Sequence, residues 1–172
     1  MLHFWFHELG PADWFGGGGA VDRACARFGP LWQALRRRPP AEFLTDPATA
    51  RAAVLLFDQI PRNLFRGSAA AFASDPLARA ITRGALARAW DQGLTRPARQ
   101  FLLMPLMHSE AKADQRLSVA RFTALGDPAI TRFARAHYRM VARFGRFPHR
   151  NAVLGRASTP AELRAVAAGN AW

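Results

Sequence analysis

The stretch DPAITRFARAHYRMVARFGR, residues 127 to 146, decides the fold. It opens on an aspartate followed by a proline. The carboxylate of Asp127 can accept hydrogen bonds from the unpaired amides of a first helical turn, and Pro128 gives up nothing at a position where its missing donor would be unpaired. Beyond that start, Ile130, Phe133, Ala134, His137, Val141 and Phe144 recur at three- and four-residue steps and predict an apolar stripe with His137 packed in its middle. On another face Arg132, Arg135, Arg139, Arg143 and Arg146 recur at the same steps, so guanidinium groups line about 21 Å of helix at about 1.5 Å per residue. Like charges at that spacing repel by a few tenths of a kcal/mol per pair, which water and salt offset if the row faces outward.

The same start is written again at Asp46-Pro47, Asp75-Pro76 and Thr159-Pro160, the last with Glu162 placed for a capping box. Apolar spacing between these signals predicts helices over 20–38 with a break at Gly29-Pro30, 47–59, 76–91, 97–125 with a break near Pro105, 128–146 and 160–168. Alternating strand patterns are absent. The expectation is an all-α fold of stacked antiparallel helical hairpins, a single domain over residues 1 to 172. Pro61 is expected to end the helix that begins at Pro47, which leaves Asp58 in its last turn, where the helix dipole disfavours a negative charge.

The chain carries 24 Lys and Arg against 12 Asp and Glu, a net charge of +12, and Lys112 is its only lysine. Arginine forks pair bidentately with carboxylates and phosphates, so the charge admits nucleic acid, an anionic membrane surface, a small anion or an acidic peptide as partner. Cys25, the lone cysteine, can form no internal disulfide. No apolar run approaches the ~20 residues that span a bilayer, and the first residues lack a basic leader, so a cytoplasmic location is expected. His3 and His7 stand four apart, but two histidines fall short of a zinc site. The four glycines at 16–19 have no preceding strand and no following lysine, unlike a phosphate-cradling loop. No metal and no cofactor are expected.

Three stretches concentrate the chemistry: FDQIPRNLFRG (57–67), MHSEAKADQ (107–115) and RFGRFPHRNAVLGR (143–156). Asp58, with Arg62, Asn63 and Arg66 near it, forms the first group. His108 and Glu110 form the second, with Ser109 placed to cap a helix whose first turn holds Glu110. The third holds Arg143, Arg146, His149, Arg150 and Asn151. No acidic residue lies between Asp127 and Glu162. Because arginine is rarely buried unpaired, Asp58, Asp75, Glu110 and Asp114 are expected to include the carboxylates that Arg143, Arg146, Arg150 or Arg156 meet.

These stretches, with FWF near the start, AFASDPLA at 71–78 and STPAEL at 158–163, resemble the motifs of a bacterial family catalogued as domain of unknown function 924, from about Phe4 to Leu163. The resemblance implies a tetratricopeptide-like helical fold and no known activity. It places Asp58, Arg62, Asn63, Arg66, His108, Glu110, Arg143, Arg146, His149, Arg150 and Asn151 at motif positions. The first functional expectation is a binding module in which Arg62, Asn63, Arg66, Arg143, Arg146, His149, Arg150 and Asn151 line a polar pocket for an anionic small molecule or peptide. The second is a hydrolase or transferase acting on an anionic substrate, with His108 or His149 as acid or base and Glu110 or Asp58 orienting it. Nucleic-acid binding, favoured by charge alone, is the third.

Overall fold

A computed structural model of the chain describes residues 1–16 and 18–169, and every regular element among them is helical. After a π-helical turn at Phe4–Glu8 come α1 (Pro11–Gly16), α2 (Gly19–Cys25), α3 (Gly29–Leu35), α4 (Pro47–Val54), α5 (Ile60–Leu64), α6 (Asp75–Ala87), α7 (Arg96–Met107), α8 (Lys112–Thr123), α9 (Pro128–Phe144) and α10 (Pro160–Ala167). Contacts divide the chain into two compact units, Met1–Pro105 and Leu106–Trp172, with the division falling inside α7. Gly17, in the four-glycine stretch, lies outside the described residues.

In the first unit α4, a π turn at Leu55–Gln59 and α5 follow one another without a break. Pro61 therefore does not end the helix, contrary to the expectation from sequence. The reason lies in where the backbone bonds go. In the π turn the N–H of Ile60 donates five residues back, to the carbonyl of Leu55, and Pro61 follows with no N–H to give. The Phe57 carbonyl accepts from Ser74 Oγ at 2.7 Å, while Ser74 Oγ accepts from Trp32 Nε1 at 2.9 Å. One residue later the carbonyl of Asp58 accepts from the Arg62 guanidinium. The π turn also changes which side chains face inward, and every residue from Ala53 to Pro61 is buried. Asp58 consequently sits in mid-helix, 0 % exposed, and not in a frayed last turn.

Around this segment the apolar core gathers Phe4, Trp5, Trp32, Phe43, Phe57, Ile60, Ile81, Phe101 and Leu102. The ring of Phe101 is met edge-on by Trp5, Phe6 and Trp14, so the aromatic FWF stretch packs onto the core. Asp46 caps α4 through Ala48 and Thr49 as its sequence implies. Asp75 does not cap α6, however. Ser74 holds the N-cap position and Asp75 is the first helical residue, its carboxylate committed to Arg62.

In the second unit α8 and α9 pack along one another. Asp127 caps α9 through Ala129 and Ile130, and Gly145 ends it in the left-handed region at φ 72°, a conformation glycine adopts without strain. Thr131, Ala134, His137, Met140 and Val141 form its buried side; Phe133, assigned to that side from the sequence, is 55 % exposed. Arg132, Arg135 and Arg139 face water, as the sequence predicts, and so does Arg143, which was expected to meet a carboxylate and lies one turn beyond their row on the same exposed side. The break in 97–125 comes after Met107 and not at Pro105, which lies inside α7. The carbonyls left unpaired at the C-terminal end of α7 are met by the buried amide of Gln115, whose Nε2 donates to the carbonyls of Met107 and Ser109 at 2.6 Å each. Thr159 and Glu162 form the full capping box at the start of α10.

Candidate functional site

Each unit holds one cluster of the motif residues. In the first, Arg62 is the centre. Its guanidinium forks onto both carboxylate oxygens of Asp75 at 3.0 Å each, stands 3.3 Å from Asp58 Oδ1 and lies over the ring of Phe72. Burial works against the charge on Arg62, but Asp58 and then Asp75 more than offset it, holding the guanidinium above its ordinary range. Gln59 Nε2 donates to the other oxygen of Asp58. Asn63 Nδ2 donates to the Gln59 carbonyl, and Arg66 pairs with Asp22 at 2.8 Å. Arg62 and Arg66, expected as ligand groups, are thus both engaged by carboxylates of this unit.

In the second unit two loops are fastened together. The short connection between α7 and α8 carries Glu110, whose carboxylate accepts both arms of Arg156 at 2.8 and 3.0 Å and the backbone N–H of Phe147 at 2.7 Å. Burial disfavours the ionised carboxyl, yet the Arg156 fork, the Phe147 amide and the nearby Arg150 charge hold Glu110 below its usual range. Glu110 does not occupy the first turn of a helix capped by Ser109, as the sequence suggested: α8 begins at Lys112, and Ser109 Oγ donates to Asp114 at 2.7 Å while accepting from the Ala111 amide. Arg146 forks onto Glu162 at 2.7 and 3.0 Å. That partner was not among the carboxylates expected from the sequence, where Glu162 was accounted for by the capping box alone. It performs both tasks, and the Arg146 and Thr159 hydrogen bonds lower its pKa to about 2.

Between these two ion pairs runs a 3-10 turn, Pro148–Arg150, capped by Asn151. Arg150 is 7 % exposed; its guanidinium lies 4.6 Å from the centre of the Phe147 ring and donates to the His108 carbonyl at 3.1 Å. The Phe147 ring, fully buried, is also the packing partner of His137 and His149, at 5.5 and 5.6 Å. His108 stands 6.3 Å from His137. The Phe133 carbonyl can only accept, so His137 Nδ1, 2.8 Å from it, carries the proton. Burial, then the neighbouring His108 and Arg150, push the pKa of His137 down to about 3. Burial and Arg150 likewise push His149 down to about 4. Asn151 is fully buried, with Nδ2 on Ser158 Oγ at 3.0 Å, and its Oδ1 has no partner among the described residues; the same holds for Arg156 Nε. Arg143 stands apart from this group, exposed and stacked on Phe144.

At the N-terminus the rings of His3 and His7 stack at 5.2 Å, and among the described residues there is no group of three or more His, Cys, Asp or Glu side chains arranged to hold a metal ion. No helix among them is long and apolar enough to cross a membrane.

An all-helical chain whose motif carboxylates and arginines fasten its loops in this way has known relatives. The family described as "Bacterial protein of unknown function (DUF924)" matches residues 1–170, and the chain belongs to it. It is similar to a solved structure, the protein of unknown function ATU0120 from Agrobacterium tumefaciens, at 37 % identity and a TM-score of 0.89 over 96 % of this chain and 93 % of that one. No functionally curated protein matches the chain.

Proposed function

We propose that the protein is a binding module that takes an anionic small molecule or the carboxylate of a peptide at the turn Pro148–Arg150, with His108, His149, Arg150 and Asn151 as the contacting groups. The observation that carries this reading is the concentration, in three consecutive residues, of an imidazole held neutral, a buried guanidinium and a buried amide with an oxygen still unsatisfied. A guanidinium positioned on an aromatic face gives an anion a fixed, partly desolvated donor, and a neutral imidazole adds directional hydrogen bonding without charge. Leaving a buried amide oxygen unpaired costs about 1–3 kcal/mol, a cost the fold bears at Asn151 right beside the donors offered to the anion. Arg62, Arg66 and Arg146 serve in this reading as ion pairs that hold the scaffold, and Arg143 as surface. The helical hairpins act as a tetratricopeptide-like platform for the site.

The acid–base alternative is weaker on the same geometry. A histidine whose pKa is about 4 is a poor proton acceptor near neutral pH, where general bases work best with a pKa close to the ambient value. A thermal-shift panel of dicarboxylates, phosphate esters and short acidic peptides tests the binding reading, with His149→Gln as the control that loses the shift.

A further inference from the structure

We propose that the outer face of α9 docks the protein onto an anionic lipid surface, independently of the site at Pro148–Arg150. The second unit carries eleven Lys and Arg against four Asp and Glu, a net +7 over residues 106 to 172. All four carboxylates have internal work: Glu110 holds Arg156, Glu162 holds Arg146, Asp114 is buried on Ser109, and Asp127 caps α9. Arg132, Arg135, Arg139 and Arg143 are exposed, and none of them makes an ion pair with any described residue. Lys112, Arg116 and Arg164 share both properties and add to the same field. The four acids of this unit are each engaged by a neighbouring group while these seven cations are left exposed, which is the charge complement of a polyanion.

The α9 row runs about 17 Å from Arg132 to Arg143 at about 1.5 Å per residue, a line of guanidinium forks along one side of the helix. Phe133, 55 % exposed, flanks that row about 100° round the helix from Arg132. Leu163, 59 % exposed, stands beside Arg164. Large apolar side chains next to cations suit a layer where phosphates lie above acyl chains, and basic helices with such flanks bind in the plane of the interface. The phosphate backbone of a duplex has no use for them. That difference favours lipid over nucleic acid.

The test is co-sedimentation of the full chain with vesicles of phosphatidylcholine alone and of phosphatidylcholine with phosphatidylglycerol, at low and high salt. Binding is expected only to the mixed vesicles and is reversed by salt. Each arginine near the surface contributes about fivefold, so Arg135→Gln with Arg139→Gln weakens binding about 25-fold. Phe133→Ser weakens it about tenfold at unchanged charge. All these positions are exposed, and circular dichroism verifies that the variants remain folded. The proposal is overturned by absence of binding to the mixed vesicles at low salt, by binding that the double arginine variant leaves intact, or by preference for duplex DNA or RNA with Phe133→Ser having no effect.

Discussion

Arg156 closes a bidentate fork on Glu110, 46 residues earlier in the chain, and Glu110 at the same time accepts the backbone amide of Phe147. One carboxylate therefore fixes the connection between α7 and α8, the turn that follows α9 and the loop before α10. Glu110→Ala leaves a half-buried guanidinium and a backbone N–H without their acceptor and is expected to cost about 3 kcal/mol. Because the Arg156 charge is then no longer stranded, the double variant Glu110→Ala, Arg156→Ala is expected to cost less than the sum of the single ones by about 1–2 kcal/mol. Urea unfolding of the four proteins measures this coupling, and strict additivity contradicts the fork as an energetic unit.

Ser74 donates to the Phe57 carbonyl in the turn just before Pro61, and it also accepts from Trp32. Ser74→Ala leaves both groups buried without that partner, at a cost of about 2 kcal/mol. Thermal unfolding of Ser74→Ala beside the parent chain checks it, and an unchanged Tm contradicts the double role of this hydroxyl.

Arg62→Lys keeps the charge beside Asp58 but loses the fork on Asp75, since an ammonium cannot grip both carboxylate oxygens in parallel. A loss of about 2 kcal/mol is expected, with Asp75→Asn adding little on top of it. If Arg62→Lys proves neutral in urea unfolding, the fork does not hold α5 to the start of α6.

The two depressed histidines set the acid response. In the unfolded chain an imidazole takes up its proton near pH 6.5, whereas folded His137 and His149 stay neutral down to about 3 and about 4. The unfolded state therefore binds more protons throughout that window, and stability falls as pH falls from 6.5. Glu162, lowered from 4.5 to about 2, adds a second loss below pH 4.5. His149→Gln is expected to flatten the dependence of Tm on pH between 6.5 and 4; an unchanged slope in that variant contradicts a neutral, buried His149.

Much of this was legible in the chain because helix starts are local. Asp46, Asp127 and Thr159 cap the helices their sequence announces, and Arg132, Arg135 and Arg139 face water as their spacing predicts. What the sequence obscured depends on long-range partners. Pro61 reads as a stop unless Ser74, 13 residues on, is known to donate to the Phe57 carbonyl in the turn just before it. Glu162 reads as a cap alone, and nothing local says that its carboxylate also receives Arg146 from 16 residues away. Phe133 fits the apolar period yet sits at the margin of a stripe narrower than the period allows. Charge balance, by contrast, places Glu110 among four carboxylates and Arg156 among four arginines expected to meet, since unpaired buried arginine is costly, but it does not say which joins which.

The binding of an anion at Pro148–Arg150 is the central claim. Its most direct test is a thermal-shift titration of the full chain with succinate, glucose 6-phosphate and an acidic peptide, run in parallel on His149→Gln and Arg150→Lys. The account predicts that at least one probe raises Tm in a saturable way, a ligand at 100 times its Kd contributing about 2.7 kcal/mol, and that both variants lose most of that shift while remaining folded. No shift with any of the three probes, or an equal shift in both variants, contradicts it.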